Sequence, residues 1–362
     1  MSSVKTDLLS SPYQLGMIEL RNRAVMAPMT RSRALGNVPN ELIATFYAQR
    51  AGDAGLLITE GTSPSPNGLG YPRIPGLFED AQVKGWKLTT DAVHARGGRI
   101  FVQLMHTGRV SHVANLRPGG RVLAPSAMLL PDQKMWVDPT GPEALTPAVE
   151  MTEQDIETAI AEYVKSAQLA IEAGFDGVEL HAANGYLIEQ FLNTSSNLRT
   201  DGWGGSVQGR ARFGVEVARR TAAAIGGHRL GIRISPYGVN GGMKPDAEVE
   251  QAWPYFAGQM KEAGLVYVHV ADHSGMGAPP VSDSVKANIR AAFGGTYILS
   301  GSYDLVRAEA DLQANKGELV AFGRPYLANP HFFARAKAGE KLNAPDFATF
   351  YSADAKGYTD YV

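Results

Sequence analysis

The sequence contains no cysteine, which excludes disulfide bonds, thiolate metal ligands and a cysteine nucleophile. It has no apolar run of about 18 residues, the length that indicates a membrane-spanning helix. The N-terminal stretch MSSVKTDLLSSPYQ lacks the apolar core of a secretion signal. The net charge is only −2 and basic residues are scattered, so neither nucleic acid nor an anionic membrane is expected as a partner. We therefore expect a soluble, cytoplasmic protein.

Short apolar runs alternate with longer helical patterns along the whole chain. The runs rich in Val, Ile, Leu or Phe are 24–27, 55–59, 99–104, 176–180, 230–234, 266–271, 296–300 and 318–322. The helical patterns are 40–50, 81–96, 153–173, 210–224, 246–263, 282–293 and 303–314. Eight strands alternating with helices predict an α/β fold, a closed (β/α)₈ TIM barrel. A barrel can hold all 362 residues in a single domain, 1–362.

Residues at the predicted helix ends indicate where helices begin and end. Thr152 followed by Asp155, and Asp80 at another helix start, predict N-caps. Glycine follows five predicted helices, and a left-handed C-terminal cap is expected at each. These glycines are Gly52, Gly97, Gly174, Gly264 and Gly294.

Two segments lie outside the alternation of strands and helices. Residues 13–22 have a glycine between two short apolar runs, which predicts an N-terminal hairpin that plugs the bottom of the barrel. Residues 109–149 form a long, proline-rich insertion after the third strand. Ordered insertions of this length are usually functional, so we expect this one to cap the top of the barrel.

Polar residues follow the C-terminal ends of the predicted strands, which is the face where barrel enzymes build their active sites. The densest group is His181, Asn184 and Tyr186, three hydrogen-bond donors within six residues after the fourth strand. A His–Asn pair can bind one oxygen while a tyrosine delivers a proton nearby. The alternative is a strand end followed by ordinary loop residues.

Two glycine-containing pairs, Gly301-Ser302 and Gly323-Arg324, follow the last two predicted strands. Glycine lets backbone N–H groups approach an anion, and arginine supplies a bidentate charge. Either pair alone could be a plain turn with a surface arginine. Because both lie at the same face of a barrel, together they predict a phosphate site.

Charged and imidazole side chains at other strand ends allow more than one interpretation. Arg233 ends an apolar strand, where it either faces a developing anion or forms an ion pair with Glu60 or Glu179. His106 and His273 follow the third and sixth strands, but no carboxylates are spaced with them in a metal-binding pattern. No metal site is expected.

The motif HAANGYLIEQFL, followed by SSN-x-RTD-x-x-GGS, resembles the signature of the old yellow enzyme family of FMN-dependent ene-reductases. Further similarity runs through NRAVMAPMTRSRA, YAQRA-x-x-GLLITEGT, VQLMHTGR and VAFGRPYLANP, and so covers nearly the whole chain. The sequence is most similar to the bacterial branch whose members reduce nitrate esters, maleimides and morphinone. The resemblance implies an FMN-binding (β/α)₈ barrel.

The resemblance also implies a role for each matching residue. His181 and Asn184 would bind the substrate oxygen, and Tyr186 would be the proton donor. Tyr71 and Tyr351 would form walls of the substrate pocket, with Met105 beside them where many relatives have tryptophan. The residues implied to bind FMN are Pro28, Met29, Thr30, Gly61, Gln103, His181, Arg233, Gly301, Ser302, Gly323 and Arg324.

The reaction implied by the resemblance is the reduction of an activated alkene, such as an enone, a maleimide or a nitroalkene. NADPH or NADH would reduce FMN, and hydride from flavin N5 and a proton from Tyr186 would then reduce the alkene. The alternatives are another FMN barrel of the dihydroorotate dehydrogenase type and a barrel that binds flavin without catalysis. The expected partners are small-molecule substrates, and the expected assembly is a monomer or weak homodimer.

Overall fold

The structure is a computed structural model that describes residues 5–361, and its centre is a closed barrel of eight parallel strands. The strands are β1 (Tyr13–Leu15), β2 (Ile18–Leu20), β3 (Ala24–Met26), β4 (Leu56–Thr62), β5 (Ile100–Leu104), β6 (Leu123–Ala124), β7 (Lys134–Val137), β8 (Gly141–Ala144), β9 (Val149–Glu150), β10 (Gly177–Ala182), β11 (Leu230–Ile234), β12 (Tyr267–Ala271), β13 (Thr296–Ser300) and β14 (Leu319–Phe322). The helices are α1 (Glu41–Ala51), α2 (Asp80–His94), α3 (Glu153–Glu172), α4 (Leu187–Leu192), α5 (Val207–Ile225), α6 (Val249–Glu262), α7 (Asp283–Phe293), α8 (Leu305–Gln313), α9 (Arg324–Ala328) and α10 (Phe332–Lys337).

The barrel order is β3-β4-β5-β10-β11-β12-β13-β14, and β14 pairs with β3 to close it. Each of the eight predicted strands overlaps one barrel strand, so the predicted TIM barrel is confirmed. Within residues 5–361, no helix combines the length and the apolar character needed to cross a bilayer.

The N-terminal hairpin closes the lower end of the barrel, where the strands begin. β1 and β2 pair antiparallel, and Leu15 and Leu20 are fully buried in one apolar cluster with Phe101 and Tyr267. Gly231 makes room for this layer, since a Cβ there would lie 2.2 Å from the Tyr267 ring. The predicted plug is confirmed.

The insertion after β5 covers the upper end of the barrel, as predicted. It contains a parallel pair, β6 with β9, and an antiparallel hairpin, β7 with β8, neither of which was predicted. Met135 of β7 and Leu145 pack in one apolar cluster with Met105 and Tyr186. The insertion therefore forms part of the enclosure around Tyr186.

Of the two N-caps predicted from the sequence, the one at α3 is confirmed and the one at α2 is wrong. Thr152 and Asp155 form a capping box at the start of α3, as expected. Asp80 is not a cap: it is the first helical residue of α2, and the N-cap is Glu79. Glu79 and Gln82 complete a capping box there, which displaces the predicted start by one residue.

Four of the five glycines predicted to end helices do have a left-handed backbone. Their φ angles lie between +67° and +90°, at Gly97, Gly174, Gly264 and Gly294. The prediction was wrong for Gly52, whose φ is −78°. After α1 the chain makes one more right-handed turn, in which the Ala54 N–H bonds to the Arg50 carbonyl, so no left-handed residue is needed.

Two buried arginines hold the C-terminal segment against the residues that follow β3. Arg31 and Arg33 are fully buried. Arg33 donates to the carbonyl oxygens of Thr349 at 2.8 Å and Phe350 at 2.6 Å, and Arg31 donates to that of Gly357 at 2.6 Å. The acceptors are backbone carbonyls, so the segment 349–357 solvates two charges that would otherwise be costly to bury.

Candidate active site

A cavity of about 510 Å³ opens among the C-terminal ends of the barrel strands. This volume lies in the ordinary range for small-molecule sites. The sequence-predicted residues that line it are Pro28, Met29, Thr30, Gly61, Gln103, Met105, His181, Asn184, Tyr186, Arg233, Gly301, Ser302, Gly323, Arg324 and Tyr351. Tyr71 is not among the lining residues and reaches the cavity through its contact with Tyr186.

The loop after β10 brings His181, Asn184 and Tyr186 to one side of the cavity. β10 extends to Ala182, and His181 points inward because side chains alternate along a strand. Asn184 has a φ of +61°, which turns the chain sharply, and α4 begins immediately after Tyr186. The sequence indicated a polar loop here and missed α4.

The hydrogen bonds of His181 determine its tautomer. Nδ1 accepts the backbone N–H of Ala183 at 3.2 Å, so Nε2 carries the proton of the neutral ring. Burial, followed by the charge of Arg233, lowers the pKa of His181 well below its ordinary value, which keeps the ring neutral. Asn184 Nδ2 lies 3.4 Å from Nε2. Because both atoms are donors, they do not satisfy each other, and together they present two N–H groups to a shared acceptor.

Tyr186 lies next to this donor pair. Its ring meets that of His181 edge to face, with centroids 4.8 Å apart, and the residue is only 9% exposed. Its hydroxyl donates to the hydroxyl of Tyr71 at 3.1 Å. Burial raises the pKa of Tyr186 well above its ordinary value, so the side chain holds its proton at neutral pH.

Arg233 reaches the cavity as a buried cation without an ion pair among residues 5–361. It is 8% exposed, and its Nε has no hydrogen-bond partner there. The predicted alternative, pairing with Glu60 or Glu179, was wrong. Glu179 instead accepts hydrogen bonds from Gln103 at 2.8 Å and His269 at 2.9 Å. Glu60 accepts the backbone N–H of Arg31 at 3.0 Å and makes no ion pair with Arg233.

The loops after β13 and β14 meet at another part of the cavity lining. Gly301, Ser302, Gly323 and Arg324 all line it. The Arg324 guanidinium lies 5.5 Å from the Phe347 ring centroid and makes no ion pair with any residue the structure describes. An unpaired, solvent-accessible guanidinium beside two glycines is a suitable place for an anion.

Several lining residues were not assigned to the site from the sequence, among them Asn240, Asp272, His273 and Met276. Three of them follow β12, the sixth barrel strand, so the rule applied to the other strand ends could have found them. Burial, followed by the charge of Arg233, lowers the pKa of His273 to about 4, which leaves this imidazole neutral at physiological pH.

Comparison with known proteins gives one consistent result. Residues 8–343 match the family described as NADH:flavin oxidoreductase / NADH oxidase. The chain is 39% identical to 12-oxophytodienoate reductase 1 of Oryza sativa subsp. japonica over 358 residues, 98% of this chain and 92% of that protein. Morphinone reductase superposes with a TM-score of 0.95 at 41% identity and covers 100% of this chain and 97% of its own. The old yellow enzyme homologue of Zymomonas mobilis gives 0.93 at 36% identity, covering 98% of this chain and 99% of its own.

Proposed function

We propose that His181, Asn184 and Tyr186 act together on the substrate. The starting point is the family: the chain belongs to the NADH:flavin oxidoreductase / NADH oxidase family. The chain is an FMN-dependent oxidoreductase that uses NAD(P)H to reduce activated C=C bonds, as the sequence resemblance predicted. The proposed substrates are enones, maleimides and nitroalkenes. Each of them carries an oxygen that accepts hydrogen bonds.

The cavity fits FMN on three observations. Arg233 has a buried Nε that an acceptor on the flavin ring would satisfy, and Arg324 has no ion pair among residues 5–361. Gln103 already donates one N–H to Glu179, so its remaining polar atoms are available to the ring. When bound, FMN supplies the hydride chemistry. The residues proposed to hold it are Pro28, Met29, Thr30, Gly61, Gln103, His181, Arg233, Gly301, Ser302, Gly323 and Arg324.

His181 and Asn184 are proposed to bind the substrate oxygen. Their two N–H groups lie side by side, and the oxygen of an enone becomes more negative as its alkene is reduced. Donors held in place before the reaction stabilise this growing charge more than the starting carbonyl. The neutral state of His181 suits this role, because the ring donates from Nε2 without adding a buried charge.

Tyr186 is proposed to deliver the proton to the substrate carbon. Its hydroxyl retains the proton at neutral pH, and the basic carbon centre formed on reduction can remove it. The hydroxyl of Tyr71, 3.1 Å away, keeps the Tyr186 side chain oriented. The proposed walls of the substrate pocket are Tyr71, Met105 and Tyr351.

The observation that carries the proposal is the 3.4 Å separation of the two donors, His181 Nε2 and Asn184 Nδ2. His181→Ala and Asn184→Ala should each weaken binding of 4-hydroxybenzaldehyde to the FMN-loaded protein, measured by calorimetry, with flavin content unchanged. Because both groups bind one oxygen, the losses should couple. Strictly additive losses in the double variant would contradict a shared oxygen.

An anaerobic titration tests the whole cycle. The purified protein should be yellow, should be bleached by NADPH or NADH, and should regain its colour with 2-cyclohexenone. Bleaching by dihydroorotate instead would favour the alternative type of FMN barrel, and no bleaching by any reductant would favour a silent one. A single domain, a cytoplasmic location and a monomer or weak homodimer remain part of the proposal, and size-exclusion chromatography tests the last.

A further inference from the structure

The backbone that carries Asn184 is held in an unfavourable conformation. Asn184 and Gly185 have φ angles of +61° and +77°. The left-handed region is unfavourable for an L-residue, although asparagine tolerates it better than most. At Gly185 a side chain is also excluded, since a Cβ would lie 2.3 Å from the Asn240 carbonyl oxygen. The contacts made by these two residues therefore decide where the Asn184 side chain lies.

Glu189 holds both amides of this pair. It lies on α4 and is 2% exposed, and its Oε2 accepts the Gly185 N–H at 2.6 Å. The Ser235 hydroxyl lies 3.1 Å and 3.0 Å from the two carboxylate oxygens. The same hydroxyl oxygen accepts the Asn184 N–H at 2.9 Å. Glu189 therefore binds one amide directly and the other through Ser235.

The directions of these hydrogen bonds are consistent with one another. The Asn184 N–H donates to Ser235, whose single hydroxyl proton is then available to the Glu189 carboxylate. Gln190 adds a neutral contact to the same loop, donating from Nε2 to the Gly185 carbonyl at 2.7 Å. Burial raises the pKa of Glu189 to about 8. The carboxyl group is therefore largely protonated at neutral pH, and its two oxygens lie against the Gly185 amide and the Ser235 hydroxyl.

We infer that Glu189, acting through Ser235 and the Gly185 amide, is a positioning residue that sets the Asn184 side chain beside His181 Nε2. This inference rests on the proposed function, in which Asn184 and His181 bind the substrate oxygen. Glu189 is not among the residues that line the cavity. Its effect must therefore pass through Asn184, and this dependence can be measured.

The first measurement compares two buried glutamates. In Glu189→Leu, the Gly185 N–H and the Ser235 hydroxyl lose their acceptor, and 4-hydroxybenzaldehyde should bind the FMN-loaded protein roughly 10-fold more weakly. Flavin content should not change. Glu309→Leu is the matched control, because Glu309 is also buried (5% exposed) and accepts two backbone N–H groups, from Leu8 and Leu9. It should lower the melting temperature and leave the affinity for the phenol unchanged.

The second measurement repeats Glu189→Leu in an Asn184→Ala background. If Glu189 acts through Asn184, the substitution should have no further effect on phenol affinity there. An equal loss in both backgrounds, or no loss in the parent protein, overturns the inference. Should Glu189→Leu fail to fold, Ser235→Ala provides the same cycle, since it removes the acceptor of the Asn184 N–H. An Asn184→Ala variant that binds the phenol as well as the parent would instead contradict the proposed function itself.

Discussion

The two ends of the barrel are closed with different chemistry. At the lower end, Leu15 and Leu20 of the hairpin pack fully buried in one cluster with Phe101 and Tyr267. At the upper end, the same strands finish around a cavity of about 510 Å³, where the Nε of Arg233 is buried without a partner among residues 5–361. One set of eight strands therefore supports an apolar core at one end and polar groups prepared for a ligand at the other.

The residues that stabilise the fold and the residues that bind a ligand therefore lie at opposite ends of the barrel. Apolar burial at the lower end stabilises the fold by about 25 cal/mol per Å². At the upper end each buried polar group without a partner costs about 1–3 kcal/mol until a ligand satisfies it. We therefore expect lower-end substitutions to change the free energy of unfolding and upper-end substitutions to change binding or catalysis.

The largest effect is expected for Tyr186→Phe, at the upper end. The ring remains and the proton is lost, so 2-cyclohexenone reduction should slow by roughly 10²- to 10⁴-fold. Flavin reduction by NAD(P)H and phenol binding should stay near normal, and anaerobic stopped-flow measurements separate these steps. With a nitroalkene, the nitronate should accumulate and take its proton slowly from solvent. Reduction of 2-cyclohexenone at the parent rate would mean that the proton comes from another donor.

The next largest effect is expected at the lower end, for Leu20→Ala. Leu20 is fully buried, and removing such a side chain lowers the free energy of unfolding by about 2–5 kcal/mol. Urea denaturation measures the loss. Met17→Ala in the same hairpin is the control, because Met17 is 76% exposed and should change stability little. A loss of phenol affinity in folded Leu20→Ala would show that the two ends are coupled.

A smaller effect is expected for Arg324→Ala. Without the guanidinium, FMN should bind roughly 10- to 100-fold more weakly, since a charge-assisted contact to its phosphate is lost. The variant should purify partly colourless, and fluorescence titration of the apoprotein gives the affinity. Riboflavin, which has no phosphate, should bind the parent and the variant equally. A selective loss of riboflavin affinity would place Arg324 at the ring and not at the phosphate.

The smallest effect is expected for Met105→Trp. Met105 is buried in the cavity wall, and its Sδ lies 2.4 Å from where a Cβ on Gly61 would be. An indole at this position changes the space beside Tyr186, so the relative rates for bulky and small enones should shift by on the order of 10-fold or less. Flavin reduction should not change. An identical substrate profile would show that residue 105 does not contact the substrate.

Sequence reasoning succeeded where local pattern and position carry the information. The apolar runs placed all eight barrel strands, because strands buried on both faces have continuous apolar sequences. The strand-end rule also brought His181, Arg233 and Arg324 to one cavity without any knowledge of contacts.

The rest depends on contacts between distant residues. Ser235 lies 51 positions from Asn184, whose amide it accepts, and no periodicity in the sequence reports this contact. The helix α4 is six residues long, too short to give a helical pattern of its own. The alternative of an ion pair between Arg233 and Glu179 was wrong for the same reason: Glu179 is bound by Gln103 and His269, which come from other strands.

The contacts of Arg31 and Arg33 make one wall of the cavity depend on a distant part of the chain. Thr30, in the proposed flavin wall, directly precedes Arg31, and the acceptors for both guanidiniums come from residues 349–357. These acceptors lie 316 to 326 positions along the chain from the two arginines. Without them the two cations would be buried without their carbonyl oxygens, so the wall that carries Thr30 is completed only together with this segment.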